Sequence, residues 1–243
     1  HGAGWVRRHI KSIDNATSVC TEDMDNDGNV DVLAGARSLN GSVMWCESLN
    51  GSGTNWTTRI IQPQRIYTED CCAVDVDGDG DLDVVGAMSS PWGITWWENV
   101  DGRAETWTNH NVLSMDEGMF RVSACDVDGD GDVDLIGASL YYDFVAWWEN
   151  ENGQGLTWNR HLLNGNMAQV QWVGAADIDG DGDKDILAAS GGEGRIACWK
   201  NDLAPSVVLS KCAETNMLAA TSNLVVYAAS ALISVGDLTR LVC

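Results

Sequence analysis

Asp75-Val-Asp-Gly-Asp-Gly-Asp-Leu-Asp83 is an oxygen-rich run that returns at Asp126-Val-Asp-Gly-Asp-Gly-Asp-Val-Asp134 and at Asp177-Ile-Asp-Gly-Asp-Gly-Asp-Lys-Asp185. It returns with two Asn substitutions at Asp23-Met-Asp-Asn-Asp-Gly-Asn-Val-Asp31. The four runs start 52, 51 and 51 residues apart, and all carry Asp at positions 1, 3, 5 and 9 and Gly at position 6. They hold 19 of the 36 acidic residues of a chain whose net charge is −22, so the charge reads first as ion sites and only second as a solvated face. Carboxylates this close repel one another unless a cation sits among them. Alternate acids on a tightly curled loop converge on a hard ion that takes about six to eight oxygens, and Gly at position 6 permits the sharp turn.

The predicted cofactor is therefore Ca²⁺, one ion per loop. The predicted ligands are Asp23, Asp25, Asp27, Asn29 and Asp31; Asp75, Asp77, Asp79, Asp81 and Asp83; Asp126, Asp128, Asp130, Asp132 and Asp134; and Asp177, Asp179, Asp181, Asp183 and Asp185. An EF-hand would need Glu at position 12, where this chain has Ala34, Gly86, Gly137 and Ala188. Transition metals are disfavoured because no His or Cys lies in the loops. The first loop, with Asn26 and Asn29, has one acid fewer and is expected to bind most weakly. A saturated loop offers no open coordination position, so the expected role of the ion is structural.

Working outward from the loops, the tryptophans obey the same period. Trp5, Trp56, Trp107 and Trp158 are each 51 residues apart, as are Trp45, Trp96 and Trp147, and Trp97, Trp148 and Trp199. Each repeat reads as four short strands separated by Gly, Pro, Asn and Asp turns, with no helical periodicity. The expected fold is all-β: a propeller of four four-stranded blades of about 51 residues. Residues 1–203 are expected to form the propeller and 204–243 a β-rich tail, with strands at Val207–Leu209, Leu224–Tyr227 and Leu232–Val235. The tail either caps the ring or pairs with a neighbouring subunit. Because the chain opens with a Trp strand, Trp5–Ile10, and its last repeat lacks one, the N-terminal strand is expected to complete the fourth blade and shut the ring. A head-to-tail dimer of eight blades is the alternative.

Cys46 stands where other repeats have Trp97 and Trp148, and Cys198 stands where they have Trp96 and Trp147. These adjacent strand positions face opposite ways, so ring closure would bring Cys46 and Cys198 together as a candidate disulfide. Cys20, Cys71, Cys72 and Cys125 precede the acidic loops and are read as bridging neighbouring blades, while Cys212 and Cys243 lie in the tail. Eight Cys without Cys-x-x-Cys pairs point to disulfides and an oxidising compartment. Sequons at Asn15, Asn40, Asn50 and Asn55 are candidate glycosylation sites.

The strong negative charge excludes nucleic acid as a partner, and no apolar stretch is long enough to span a membrane as a helix. No catalytic residues are predicted. His110 and His161 occupy the position of Arg8 and Arg59 and read as strand-packing residues, and His1 is not read as a copper ligand. Trp92, Trp172, Tyr141 and Tyr142 fall outside the core register; they either pack under loops or stack on sugars.

The Asp-x-Asp-x-Asp-Gly-x-x-Asp loops, the Gly35-Ala36, Gly86-Ala87 and Gly137-Ala138 pairs that follow them, and Trp96-Trp97-Glu98-Asn99 with Trp147-Trp148-Glu149-Asn150 resemble the FG-GAP/VCBS-type repeats of extracellular β-propellers, the class that includes integrin α-subunit heads. The resemblance covers about residues 5–201, without the Phe-Gly half of the motif and with fewer blades than is usual. It implies structural calcium loops, an extracellular location and binding of proteins or glycans. The resulting expectation is a secreted or cell-surface binding or structural module, not an enzyme, that self-associates through its tail into a filament or surface layer. A lectin-like propeller and an accessory or catalytic domain of a polysaccharide-degrading enzyme are the alternatives.

Overall fold

The computed structural model describes residues 4–38, 42–63, 67–90, 92–113, 118–164, 167–202, 226–228 and 231–233. The chain divides into two units, His1–Asn201 and Asp202–Cys243. The first unit holds four antiparallel meanders. The first is β1 (Ala16–Cys20), β2 (Val32–Ala36), β3 (Val43–Ser48) and β4 (Trp56–Gln62); the second is β5 (Tyr67–Val74), β6 (Asp83–Ser90), β7 (Trp92–Asn99) and β8 (Trp107–Leu113). The third is β9 (Met119–Cys125), β10 (Asp134–Ser139), β11 (Phe144–Asn150) and β12 (Trp158–Asn164). The fourth has three strands, β13 (Val170–Ala176), β14 (Asp185–Ser190) and β15 (Arg195–Trp199). In the second unit β16 (Val226–Ala228) pairs antiparallel with β17 (Ala231–Ile233). The expected tail strand at Val207–Leu209 lies outside the described residues.

The sheets stack in chain order through their first strands: β1 packs on β5, β5 on β9 and β9 on β13. Three apolar cores fill the gaps between them. Trp45 and Trp97 meet between the first and second sheets, Trp96 and Trp148 between the second and third, and Trp147 and Trp199 between the third and fourth. Adjacent strand residues point to opposite faces, so the paired tryptophans of one strand serve two different interfaces. A sheet with neighbours on both sides is buried on both faces, which is why every residue of β10 is buried. The Gly-Ala pairs have the same origin. A Cβ at Gly86 would come within 2.9 Å of the Trp97 ring, and one at Gly137 within 2.8 Å of the Trp148 ring, so the second tryptophan closes over a bare backbone.

Ring closure is not seen. Residues 4–13 form no strand, and Trp5 is wholly exposed. The expected fourth strand of the fourth sheet is therefore absent among the described residues. The reason is geometric: among the described residues no packing comparable to the other three interfaces joins β13 to β1, as closing the ring would require. Lys11, Ser12, Ile13 and Asp14 instead line a cavity of about 260 Å³ with Met44, Thr58 and Ile60 on the outer face of the first sheet. The expected Cys46–Cys198 bridge depended on closure and is not seen among the described residues. Cys46 is a buried free thiol and Cys198 an exposed one. Cys20, Cys71, Cys72 and Cys125 are also free, with burial pushing Cys20 and Cys125 to about 11 and Cys72 to about 12. Cys71 lies 3.3 Å from the Ser18 hydroxyl across the first interface.

Candidate metal centre

Each acidic run is the loop between the first and second strands of its sheet, so all four emerge where the first strand ends. The loop is held by its last acid. Asp83 is 1% exposed; its Oδ2 accepts from Val76 N at 3.0 Å and its Oδ1 from Asn99 N at 2.8 Å. One carboxylate thus ties the loop start to the third strand. Asp134 does the same with Val127 N and Asn150 N, both at 2.9 Å, and Asp185 with Ile178 N and Asn201 N, both at 2.9 Å. In the first loop Asp31 accepts from Met24 N at 3.2 Å and Ser48 N at 2.7 Å. The first acid curls the loop: Asp75 accepts from Gly78 N at 2.8 Å and Gly80 N at 3.0 Å. Gly78 and Gly80 have φ of 75° and 96°, the left-handed region that favours glycine.

This folding brings carboxylate oxygens of Asp75, Asp77 and Asp83 within 4.8 Å of one another, and likewise those of Asp126, Asp128 and Asp134 and of Asp177, Asp179 and Asp185. In the first loop the converging acids are Asp23, Asp25 and Asp27. Asp79, Asp130 and Asp181, at position 5, lie outside the converging sets. Asp79 and Asp130 accept from the backbone N–H of Asp81 and Asp132, both at 2.9 Å, and Asp181 from that of Asp183 at 3.3 Å. The side chains at position 7 turn the other way. Asn29, Asp81 and Asp132 lie against Gly51, Gly102 and Gly153, where any Cβ would overlap them. Three converging acids per loop, rather than five, form the geometric core of each site.

The electrostatics suit a cation. Burial, with neighbouring carboxylates adding to it, raises Asp25, Asp77 and Asp128 above the ordinary carboxylate value. Burial lifts Asp83 to about 7 and Asp31 and Asp134 to about 6, against the hydrogen bonds that hold them. A hard ion with oxygen preference removes that penalty, and the donors are all oxygen, so the residues fit such an ion.

Matches to a family described as FG-GAP-like repeat fall on residues 23–86, 75–137 and 126–188. The chain belongs to that family. Each match runs from one acidic loop to the Gly-Ala or Ala pair after the next, so the FG-GAP unit here spans two successive sheets. Comparison with curated proteins gives no match. Among the described residues no helix is long and apolar enough to cross a membrane.

Sequence reasoning missed the role of the asparagine at the end of the third strand in the second and third sheets, Asn99 and Asn150, and of its counterpart Asn201 just after β15. Asn150, fully buried, donates to Val76 O of the preceding sheet's loop at 3.0 Å, and Asn201 donates to Val127 O at 2.8 Å. The repeating Asn of the Trp-Trp-Glu-Asn strand was the available signal. The preceding glutamates hold the fourth strand: Glu98 pairs with His110 and Glu149 with His161, both at 2.7 Å, and Glu47 with Arg59 at 2.8 Å. His110 stacks on Trp96 at 4.4 Å and His161 on Trp147 at 4.2 Å, which places both imidazoles in strand packing.

At the opposite ends of the first strands, Asn15, Arg37, Tyr67, Glu69, Ser89 and Tyr141 line an open cavity of about 660 Å³. Glu69, 2% exposed, is held by Arg37 and by the Ser89 hydroxyl, both at 2.5 Å. Tyr141 and Trp172 are exposed, while the side chain of Trp92 lies outside the described set. Of the sequon residues, Asn15, Asn50 and Asn55 are exposed and Asn40 lies outside the described residues, as do His1, Cys212 and Cys243.

Proposed function

We propose that this FG-GAP protein is an extracellular, calcium-stabilised module of propeller type that binds a protein or glycan and performs no catalysis of its own. The observation that carries the reading is the convergence of three carboxylates in every loop, at the same positions in the second, third and fourth, where one of the three is the buried acid that ties its sheet together. Oxygen-only donors on a flexible loop favour Ca²⁺ over softer or smaller ions. The extracellular setting is supported by the repeat type and by millimolar calcium outside cells, where loops of this kind fill. Thermal unfolding of the full chain tests the reading. Calcium at 100 times its dissociation constant stabilises by about 2.7 kcal/mol per site, which raises the midpoint by roughly 5–10 °C for each site filled in a chain of this size. An equal midpoint in calcium and in excess chelator would overturn it.

A glycan is the better-supported ligand class. The cavity above the first strands sets Tyr67 and Tyr141 beside Arg37 and Asn15. Aromatic faces next to fixed polar groups match the alternating apolar and hydroxyl faces of a sugar.

A further inference from the structure

The fourth loop differs from the other three in two lysines that the 51-residue register exposes, one of them just after the third strand beside it. Glu47, Glu98 and Glu149 are the next-to-last residues of the third strands, beside their loops, and each adds negative potential at the position-3 acid: Asp25, Asp77 and Asp128. The equivalent residue of the fourth sheet is Lys200. Its Nζ lies 2.8 Å from Asp179 Oδ2 and 3.4 Å from Asp181 Oδ2. Asp179 is one of the three acids that converge in that loop. A second lysine, Lys184, sits at position 8 of the same loop. Counting the nine loop residues and the third-strand residue, the formal charge is −5 at the first loop, −6 at the second and third, and −3 at the fourth.

We infer that Lys200 is a built-in cation of the fourth loop, which it holds in place of a divalent ion, and that this loop is the weakest of the four calcium sites. The inference rests on the reading of the loops as calcium sites. An ammonium on Asp179 and Asp181 neutralises the loop without metal, and an entering ion must displace it. The order expected from acid count alone, with the first loop weakest, changes accordingly. Replacing a negative by a positive charge beside a divalent ion at this distance lowers affinity on the order of tenfold or more at low ionic strength. The fourth sheet, which among the described residues has three strands and packs on the third sheet, thereby keeps its loop compensated when calcium is scarce.

The experiment is a calorimetric calcium titration of the stripped full chain at low salt, for wild type, K200E, K200M and E98K, with folding checked by circular dichroism. Wild type is expected to show one phase at least about tenfold weaker than the rest. K200E should move that phase into the strong class, K200M should move it part of the way without adding an acid, and E98K should create a second weak phase. Four equivalent sites in wild type, or a weak phase unmoved by both K200E and K200M, would overturn the inference while leaving the calcium reading intact. No calcium uptake by any variant would overturn both.

Discussion

Substituting Asn150 by Ala removes an interlock that joins two sheets. The Asn150 amide is fully buried; its Nδ2 donates to Val76 O at 3.0 Å and Val133 O at 3.3 Å, and its Oδ1 accepts from Gly155 N at 2.9 Å. Truncation leaves the Gly155 N–H and the Val76 carbonyl without their partner in a region closed to water. Each buried group left unpaired costs about 1–3 kcal/mol, and the missing side-chain volume adds about 1 kcal/mol. The expected loss is about 3–7 kcal/mol, a large part of the stability of an ordinary domain. Denaturant unfolding of the calcium-loaded chain, followed by tryptophan fluorescence, reads it directly. Asn159→Ala is the control: that amide makes an exposed contact of 3.3 Å to Glu149, and its loss is expected to cost under about 0.5 kcal/mol. The reasoning is refuted if N150A costs less than about 1 kcal/mol, or if the two variants cost the same.

Two other outcomes follow from the charged loops and the open cavity. In the metal-free chain Asp31, Asp83 and Asp134 keep their protons up to about 6, 7 and 6, whereas the unfolded chain releases them near the ordinary carboxylate value. The folded state then binds more protons between about pH 4 and 7, so chelated protein loses stability as pH rises through that window, and calcium affinity rises over the same window. Melts of stripped protein at pH 5 and 7.5 check this; greater stability at 7.5 without calcium would contradict it. For the cavity, a glycan array with wild type and Tyr141→Ala is expected to show binding that the variant weakens by about tenfold, since one stacked ring contributes about 0.5–1.5 kcal/mol beyond its buried area. Binding unaffected by the variant would place the ligand elsewhere.

The loops were legible because their chemistry is local. Alternating acids with Gly at position 6 specify a curled oxygen cage within nine residues, and the register made four copies visible. The same register placed the strands and the two-sided tryptophans. It did not separate the roles of the acids. Asp83 and Asp81 look alike in sequence, yet one is buried between Val76 N and Asn99 N and the other turns to Gly102. Only the path of the third strand and of the turn after it distinguishes them.

By itself, then, the sequence determined the repeat, its all-β character and the oxygen-lined loops, because each depends on contacts within one unit of about 51 residues. The tertiary structure decided what depends on neighbouring units. It showed that Asn150 and Asn201 lock one sheet to the loop before it, that Lys200 reaches Asp179 and Asp181 of the fourth loop, and that among the described residues Trp5–Ile10 forms no strand on β15. The physical reason is that these features are set by how sheets stack, and a period along the chain carries no record of the angle at which one sheet meets the next.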